Sequence, residues 1–168
     1  MKNLVIVSLV SLSACFINAQ SMLGKGGKQV NAGVGLSSWG IPVYAGMDFG
    51  VHPDISVGFE GSYRSYKEHW KFDDRKYRHS IMGFSGNVNY HFNTLLNIPK
   101  EWDLYAGANI GFYVWNSSSD YPGDHTSGLG LGGQLGIRYY FNEKFGLNLE
   151  GGGGNAFSGG KFGISIIL

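Results

Sequence analysis

The chain has few of the residues that stabilise small exported proteins or bind nucleic acid. It contains one cysteine, Cys15, and four prolines in 168 residues. Because Cys15 lies in an N-terminal segment that we expect to be removed, the mature chain would form no disulfide. The 13 basic and 12 acidic residues give a formal net charge of +1. This balance disfavours nucleic acid as a partner, since phosphate backbones are bound by clustered positive charge.

Long apolar segments are also missing. No stretch reaches the roughly 18 apolar residues that a transmembrane helix needs. The apolar run Leu4 to Leu12 is short, follows Lys2 and precedes a cleavage site after Ala19. These features predict a secretory signal peptide over residues 1–19 and one mature domain over residues 20–168.

Cys15 allows a second interpretation of this N-terminal segment. The sequence Leu12-Ser13-Ala14-Cys15 resembles a bacterial lipobox, in which the cysteine becomes the lipidated first residue. The simpler prediction is a small apolar residue inside a signal peptide that is cleaved after Ala19.

Glycine and aromatic residues are abundant, and they lie in alternating segments. Glycine, with 28 residues, weakens helices, whereas aromatic residues, at 15%, are enriched in strands. In eight stretches apolar and polar residues alternate with a period of two, which places successive side chains on opposite faces of a sheet. The predicted strands are Gln29–Ser38, Val43–Val51, Ile55–Tyr66, Ser80–Phe92, Asp103–Trp115, Gly128–Phe141, Phe145–Gly153 and Gly160–Leu168.

The two faces of the predicted sheet differ in charge. The apolar face has no charged residue, and the other face carries the charges inside strands: Asp48, Glu60, Arg64, Arg138 and Glu150. A soluble barrel of the lipocalin type would place the apolar face inside. However, an eight-stranded barrel holds fewer large side chains than this face offers. The pattern therefore favours lipid outside and a polar lumen.

These features resemble a known group of membrane proteins. The glycine-rich alternating strands, the apolar last strand and the segment Leu135-Gly136-Ile137-Arg138-Tyr139-Tyr140-Phe141 before a tight turn are similar to small outer-membrane barrels of the OmpA and OmpX kind. The chain resembles in particular the outer membrane protein beta-barrel domain proteins common in the Bacteroidota. The resemblance implies an all-β, eight-stranded antiparallel up-and-down transmembrane barrel. It also implies a monomer in a Gram-negative outer membrane, inserted by the barrel-assembly machinery.

Four charged residues lie at positions whose side chains are predicted to point into the lumen, and they form the first candidate site. We call the two alternating sets of positions along a strand the inward and the outward parity. Glu60, Arg64, Arg138 and Glu150 are predicted to meet as an ion-pair network in the lumen, with Arg138 paired to Glu60 or Glu150. Because an eight-stranded barrel is just wide enough for its side chains, this network predicts a polar plug. The alternative is a gate that rearranges to pass water or small ions.

The second predicted outer loop mixes basic and aromatic residues. Cationic side chains can hold lipopolysaccharide phosphates by charge-assisted hydrogen bonds, while aromatic residues lie at headgroup level. The candidate contacts are Lys67, Trp70, Lys71, Arg75, Lys76 and Arg78. The alternative is a solvated polar loop.

The segment His125-Thr126-Ser127 is the strongest hint of catalysis in the sequence. It is similar to the His-x-Ser pair of lipid A deacylases, where a base activates a hydroxyl. The acids downstream, Glu143 and Glu150, are predicted to lie across the membrane or in the lumen. Asp120 and Asp124 are neighbours in the same loop, and a solvated loop is the simpler prediction. No catalytic residues, metal ligands or cofactors are therefore predicted.

We predict a non-enzymatic integral outer-membrane barrel with a structural or surface-interaction role. Its expected partners are outer-membrane lipids, lipopolysaccharide and a surface protein. The alternatives are a porin-like narrow gated diffusion channel and a lipid A-modifying enzyme.

Overall fold

Eight antiparallel strands close into a barrel in the order of the chain. The computed structural model describes residues 20–37, 40–69, 76–117, 127–154 and 159–168, with the backbone alone for 66–69, 76–78 and 117. Each strand pairs with its sequence neighbours, and the first pairs with the last. The predicted fold class is confirmed. The strands are β1 (Lys28–Leu36), β2 (Val43–His52), β3 (Ile55–His69), β4 (Lys76–His91), β5 (Trp102–Ser117), β6 (Gly128–Tyr140), β7 (Phe145–Gly154) and β8 (Gly159–Ile167).

The β3–β4 hairpin extends further than its predicted bounds. The sequence predicts a loop from Lys67 to His79, but the ladder continues through the Lys67–Arg78 pair to the His69–Lys76 pair. Polar residues occupy both parities of this extension, so the period of two is not visible in the sequence. A strand that has passed the apolar layer needs no apolar face, which explains the difference.

The two ends of the barrel differ in their connections. At one end of the barrel, which we call the turn end, strand β1 begins and strand β8 ends. The same end holds the turn after His52 and residues 92–101 and 141–144. The connection from β4 to β5 contains a short helix, α1 (Asn93–Leu96), which ends at Asn97 in the left-handed region. Asn142 closes the β6–β7 turn, since its side-chain oxygen accepts hydrogen bonds from two backbone amides, each 2.9 Å long. The opposite end is the loop end.

The outer wall of the barrel is apolar. Large side chains such as Phe59, Phe84 and Ile110 are more than half exposed. Aromatic rings gather at the turn end, where the Trp102 and Tyr139 centroids lie 4.6 Å apart and those of Tyr90 and Phe92 lie 5.1 Å apart. This wall with an aromatic belt matches a lipid-facing surface.

Within the described residues, no helix is both long enough and apolar enough to cross a membrane.

Candidate functional site: the polar lumen

Closure of the sheet into a barrel places the polar side chains of all eight strands in one interior. Buried polar groups need hydrogen-bond partners, and here most of the described groups find them across the lumen. The buried polar and charged residues inside the strands are Gln29, Asn31, Asp48, Ser56, Arg64, His79, Asn89, His91, Asp103, Arg138, Asn148 and Ser165.

An arginine between two aspartates lies near the turn end. Arg138 Nη2 lies 2.7 Å from Asp48 Oδ2, and Arg138 Nη1 lies 3.3 Å from Asp103 Oδ2. Asp103 is the register partner of Arg138 on the neighbouring strand β5, whereas Asp48 reaches it from β2 across the lumen. The three side chains are 4% exposed or less. We call these three residues the Arg138 cluster.

The predicted pairing of Arg138 was wrong. Its carboxylate partners are Asp48 and Asp103, and not Glu60 or Glu150. The physical reason is position along the barrel axis, because the register places Asp103 directly beside Arg138, while Glu150 lies beside Gly136.

A histidine and a serine extend the Arg138 cluster. His91 Nδ1 lies 2.7 Å from Asp103 Oδ1, and His91 Nε2 lies 2.9 Å from Ser56 Oγ. Because an ionised carboxylate can only accept, the proton sits on Nδ1. The order serine, histidine, aspartate is that of hydrolase triads. Here all three residues are at most 1% exposed, and Asp103 also binds Arg138.

A lysine between two glutamates lies further along the lumen. Lys161 Nζ is 2.8 Å from Glu60 Oε2 and 2.7 Å from Glu150 Oε1. Glu150 is its register partner on β7, and Glu60 reaches it from β3. These side chains are between 10% and 16% exposed. We call these three residues the Lys161 cluster.

Tyr105 joins the two clusters. Its hydroxyl donates to Glu150 Oε2 over 2.8 Å, and the Arg138 guanidinium carbon lies 4.2 Å from the centre of its ring. Tyr105 is 1% exposed. A large, rigid side chain therefore fills the lumen between the clusters and holds both by polar contacts.

Side-chain amides complete the filling. Asn109 Nδ2 donates to Gln134 over 2.9 Å, and Gln134 Nε2 donates to Asn89 over 2.6 Å. Tyr44 donates to Asn148 over 2.7 Å on the other side. The Gln134–Asn89 and Tyr44–Asn148 bonds connect strands that are not neighbours in the sheet, so they resist widening of the lumen.

Two small cavities lie along the described lumen, and the Lys161 cluster borders both. Each leaves about 20 Å³ for the centre of a water molecule. The cavity nearer the turn end is also lined by Asp48 and Arg138, and the one nearer the loop end by Tyr113. A volume of this size holds roughly one water molecule.

The four residues of the predicted network thus separate into three places. Glu60 and Glu150 meet through Lys161, and Arg138 belongs to the other cluster. Arg64 is buried toward the loop end, where its Nη1 donates to Ser37 Oγ over 3.1 Å. The prediction did not include Lys161 or Asp103 among the site residues. Both share the inward parity of their strands, so parity alone could have found them.

The remaining sequence candidates fall mostly outside this part of the chain. Trp70, Lys71, Arg75 and the pair His125-Thr126 lie outside the described residues, as do the side chains of Lys67, Lys76 and Arg78. Ser127 Oγ accepts a hydrogen bond of 3.2 Å from the backbone amide of Trp115. Among described residues, no group of three or more His, Cys, Asp or Glu could hold a metal ion.

A closed eight-stranded barrel with an apolar wall and a polar interior defines the class of small outer-membrane barrels. The chain belongs to the family described as "Outer membrane protein beta-barrel domain", which matches residues 7–164. This membership places the protein in the outer membrane. A search of curated proteins found no match.

Solved structures of outer-membrane proteins share the fold. The chain resembles OprG of Pseudomonas aeruginosa with a TM-score of 0.69 and 10% identity, over 90% of this chain and 99% of that one. It resembles the N-terminal barrel domain of OprF from the same species with a TM-score of 0.59 and 16% identity, over 86% and 99%. For Ail of Yersinia pestis the values are 0.54, 11%, 86% and 100%. At these identities the similarity shows the fold alone.

Proposed function

We propose that this protein is a non-enzymatic outer-membrane barrel with a closed lumen and a structural or surface-interaction role. The observation that carries the proposal is the filling of the described lumen, where hydrogen-bonded side chains line two cavities of about 20 Å³ each. Lumen width grows with strand number, and wet channels belong to much larger barrels. The surfaces available for interaction are then the wall and the loop end.

A narrow gated channel is the second candidate, and one observation favours it. The Lys161 cluster borders both cavities, so a movement of Lys161 away from Glu60 and Glu150 would join them. The Arg138 cluster still blocks the turn end in that state, because Arg138 bridges β2 and β5 from β6. A continuous path therefore requires both clusters to rearrange, which supports closure.

The burial of the Ser56–His91–Asp103 chain supports a structural role over catalysis. A nucleophile must reach its substrate, and Ser56 is 0% exposed. Neither of the two lumen cavities is lined by Ser56 or His91, and Arg138 contacts the second carboxylate oxygen of Asp103. These hydrogen bonds satisfy buried polar groups beneath the Arg138 cluster.

We further propose that the chain is exported by a signal peptide over residues 1–19, inserted by the barrel-assembly machinery and present as a monomer. The loop end then faces the cell exterior, because outer-membrane barrels have short turns on the periplasmic side.

Liposome swelling tests the closed lumen. Vesicles that contain the refolded protein should swell in small sugars no faster than protein-free vesicles, whereas vesicles with an open porin should swell rapidly. Swelling at a rate comparable to the porin, at equal protein density, would contradict the proposal and favour the channel.

A further inference from the structure

An apolar groove crosses the outer wall on strands β2, β3 and β4. It is an open depression with a volume of about 470 Å³. Its lining includes Val43, Ala45, Gly61, Tyr63, Met82 and Phe84. The groove lies on the lipid-facing surface, where any occupant must be apolar.

The groove follows from small residues placed between large ones. Ala45 and Gly61 are register partners, and they leave a depression in the wall. Phe84 lies beside Gly61 on the far side, and the Tyr63–Met82 pair lies one step closer to the loop end. Phe84 is 67% exposed and Met82 is 52% exposed, so the flanking side chains stand out into the lipid layer.

Basic residues continue the same face of the same hairpin toward the loop end. The register runs from the Tyr63–Met82 pair through Ser65–Ser80 to Lys67–Arg78 and His69–Lys76. With the period of two, these positions share the parity of the groove, whereas Glu68 and Tyr77 have the opposite parity. In the described loop-end parts of the other three hairpins, the outward parity carries no charged residue.

The groove and the basic pairs lie at a separation suited to one amphiphile. The step from the Tyr63–Met82 pair to the Lys67–Arg78 pair is four residues, or about 13 Å along a strand. Only the small residues Ser65 and Ser80 lie between them on this parity. An anionic headgroup can then meet the basic pairs while an acyl chain enters the groove.

We propose that this face of the β3–β4 hairpin binds the lipid A part of lipopolysaccharide. One acyl chain fills the groove at Ala45 and Gly61, and a phosphate lies at the level of the Lys67–Arg78 and His69–Lys76 register pairs, whose positive charge attracts it. The inference rests on the proposed orientation, with the loop end outside, because lipopolysaccharide lies in the outer leaflet. It does not depend on whether the lumen conducts.

Native mass spectrometry of the refolded mature chain in detergent tests the site. The probe is bisphosphorylated lipid A, compared with the same lipid after removal of its phosphates and with phosphatidylglycerol. We expect the intact lipid A to bind with a Kd about tenfold or more lower than either comparison lipid, because several cations act on two phosphates. Equal binding of all three lipids would overturn the proposal.

Two variants separate the groove from the basic pairs. Gly61→Leu fills the groove, and a Cβ at this position meets Phe84 no closer than 3.7 Å, so the added Cβ causes no clash with the backbone. We expect a Kd for lipid A about tenfold higher. The matched control is Gly151→Leu on β7, an exposed wall position where a Cβ meets no atom within 4 Å. If Gly61→Leu fails to refold, Ala45→Leu fills the same groove.

The triple variant Lys67→Gln, Lys76→Gln, Arg78→Gln removes the cations, with Lys100→Gln and Lys144→Gln at the turn end as its control. We expect a Kd at least about tenfold higher for the triple variant and no change for the control. An unchanged Kd in the triple variant, or equal effects of Gly61→Leu and Gly151→Leu, would overturn the site. Neither result bears on the closed lumen, which liposome swelling tests independently.

Discussion

The lumen holds two ion clusters of the same composition, one cation between two carboxylates, in different surroundings. The Arg138 cluster is at most 4% exposed and is extended by His91 and Ser56. The Lys161 cluster is 10% to 16% exposed and borders both cavities. Arginine suits the drier position, because its planar guanidinium is more weakly hydrated and binds two carboxylates through separate N–H groups. We therefore expect the Arg138 cluster to keep the lumen closed and the Lys161 cluster to be the more adaptable part.

The largest expected effect tests the drier cluster. Arg138→Ala leaves Asp48 and Asp103 buried without their cation, so we expect a loss of about 3 to 5 kcal/mol in the free energy of unfolding. The combined variant Arg138→Met, Asp48→Asn, Asp103→Asn should lose less, because no unpaired charge remains. Urea titrations of the refolded protein in lipid vesicles measure both. If the triple variant costs as much as Arg138→Ala or more, the claim that Arg138 compensates the buried charges of Asp48 and Asp103 would be wrong.

The cost of an added charge should differ between the lumen and the wall. Asn109 lines the cavity beside the Lys161 cluster, which has one more carboxylate than cations, while Ile110 is 51% exposed on the wall. We expect Ile110→Arg to cost about 2 to 4 kcal/mol and Asn109→Arg to cost less. The same titrations compare the two. Equal costs, or the reverse order, would contradict the assigned faces.

Loss of the cation in the Lys161 cluster should lower the free energy of unfolding less than loss of the cation in the Arg138 cluster. Lys161→Met removes the cation between Glu60 and Glu150, but water in the adjoining cavities can solvate the carboxylates. We expect a cost of about 1 to 3 kcal/mol, below that of Arg138→Ala. Measurement of both variants in the same vesicles decides the order. A larger cost for Lys161→Met than for Arg138→Ala would contradict the expected order of the two clusters.

The smallest effect concerns the extension of the Arg138 cluster. Ser56→Ala removes one hydrogen bond to His91 Nε2, so we expect a cost of about 1 kcal/mol. His91→Ala should cost more, because it also removes the contact with Asp103. If Ser56→Ala costs as much as His91→Ala, Ser56 contributes more than its hydrogen bond to the His91 ring.

The sequence predicts the fold well and the lumen contacts only in part. Alternation is a local signal, so all eight strands and their inward faces follow from it, and the long β3–β4 hairpin was missed only where both parities are polar. Pairing across the lumen is not local. Asp48 and Arg138 are 90 residues apart, and only closure of the barrel brings them together. Asp103 and Lys161 lie near strand ends, where the sequence does not distinguish a charged strand residue from a residue of the adjoining turn.

Single-channel recording in planar bilayers measures directly whether the lumen is closed. We expect the wild-type protein to show only rare, small openings, because the Arg138 cluster and Tyr105 fill the lumen. Frequent and stable conductance steps from the wild-type protein, abolished or altered by Lys161→Met, would contradict this expectation and establish a regulated channel.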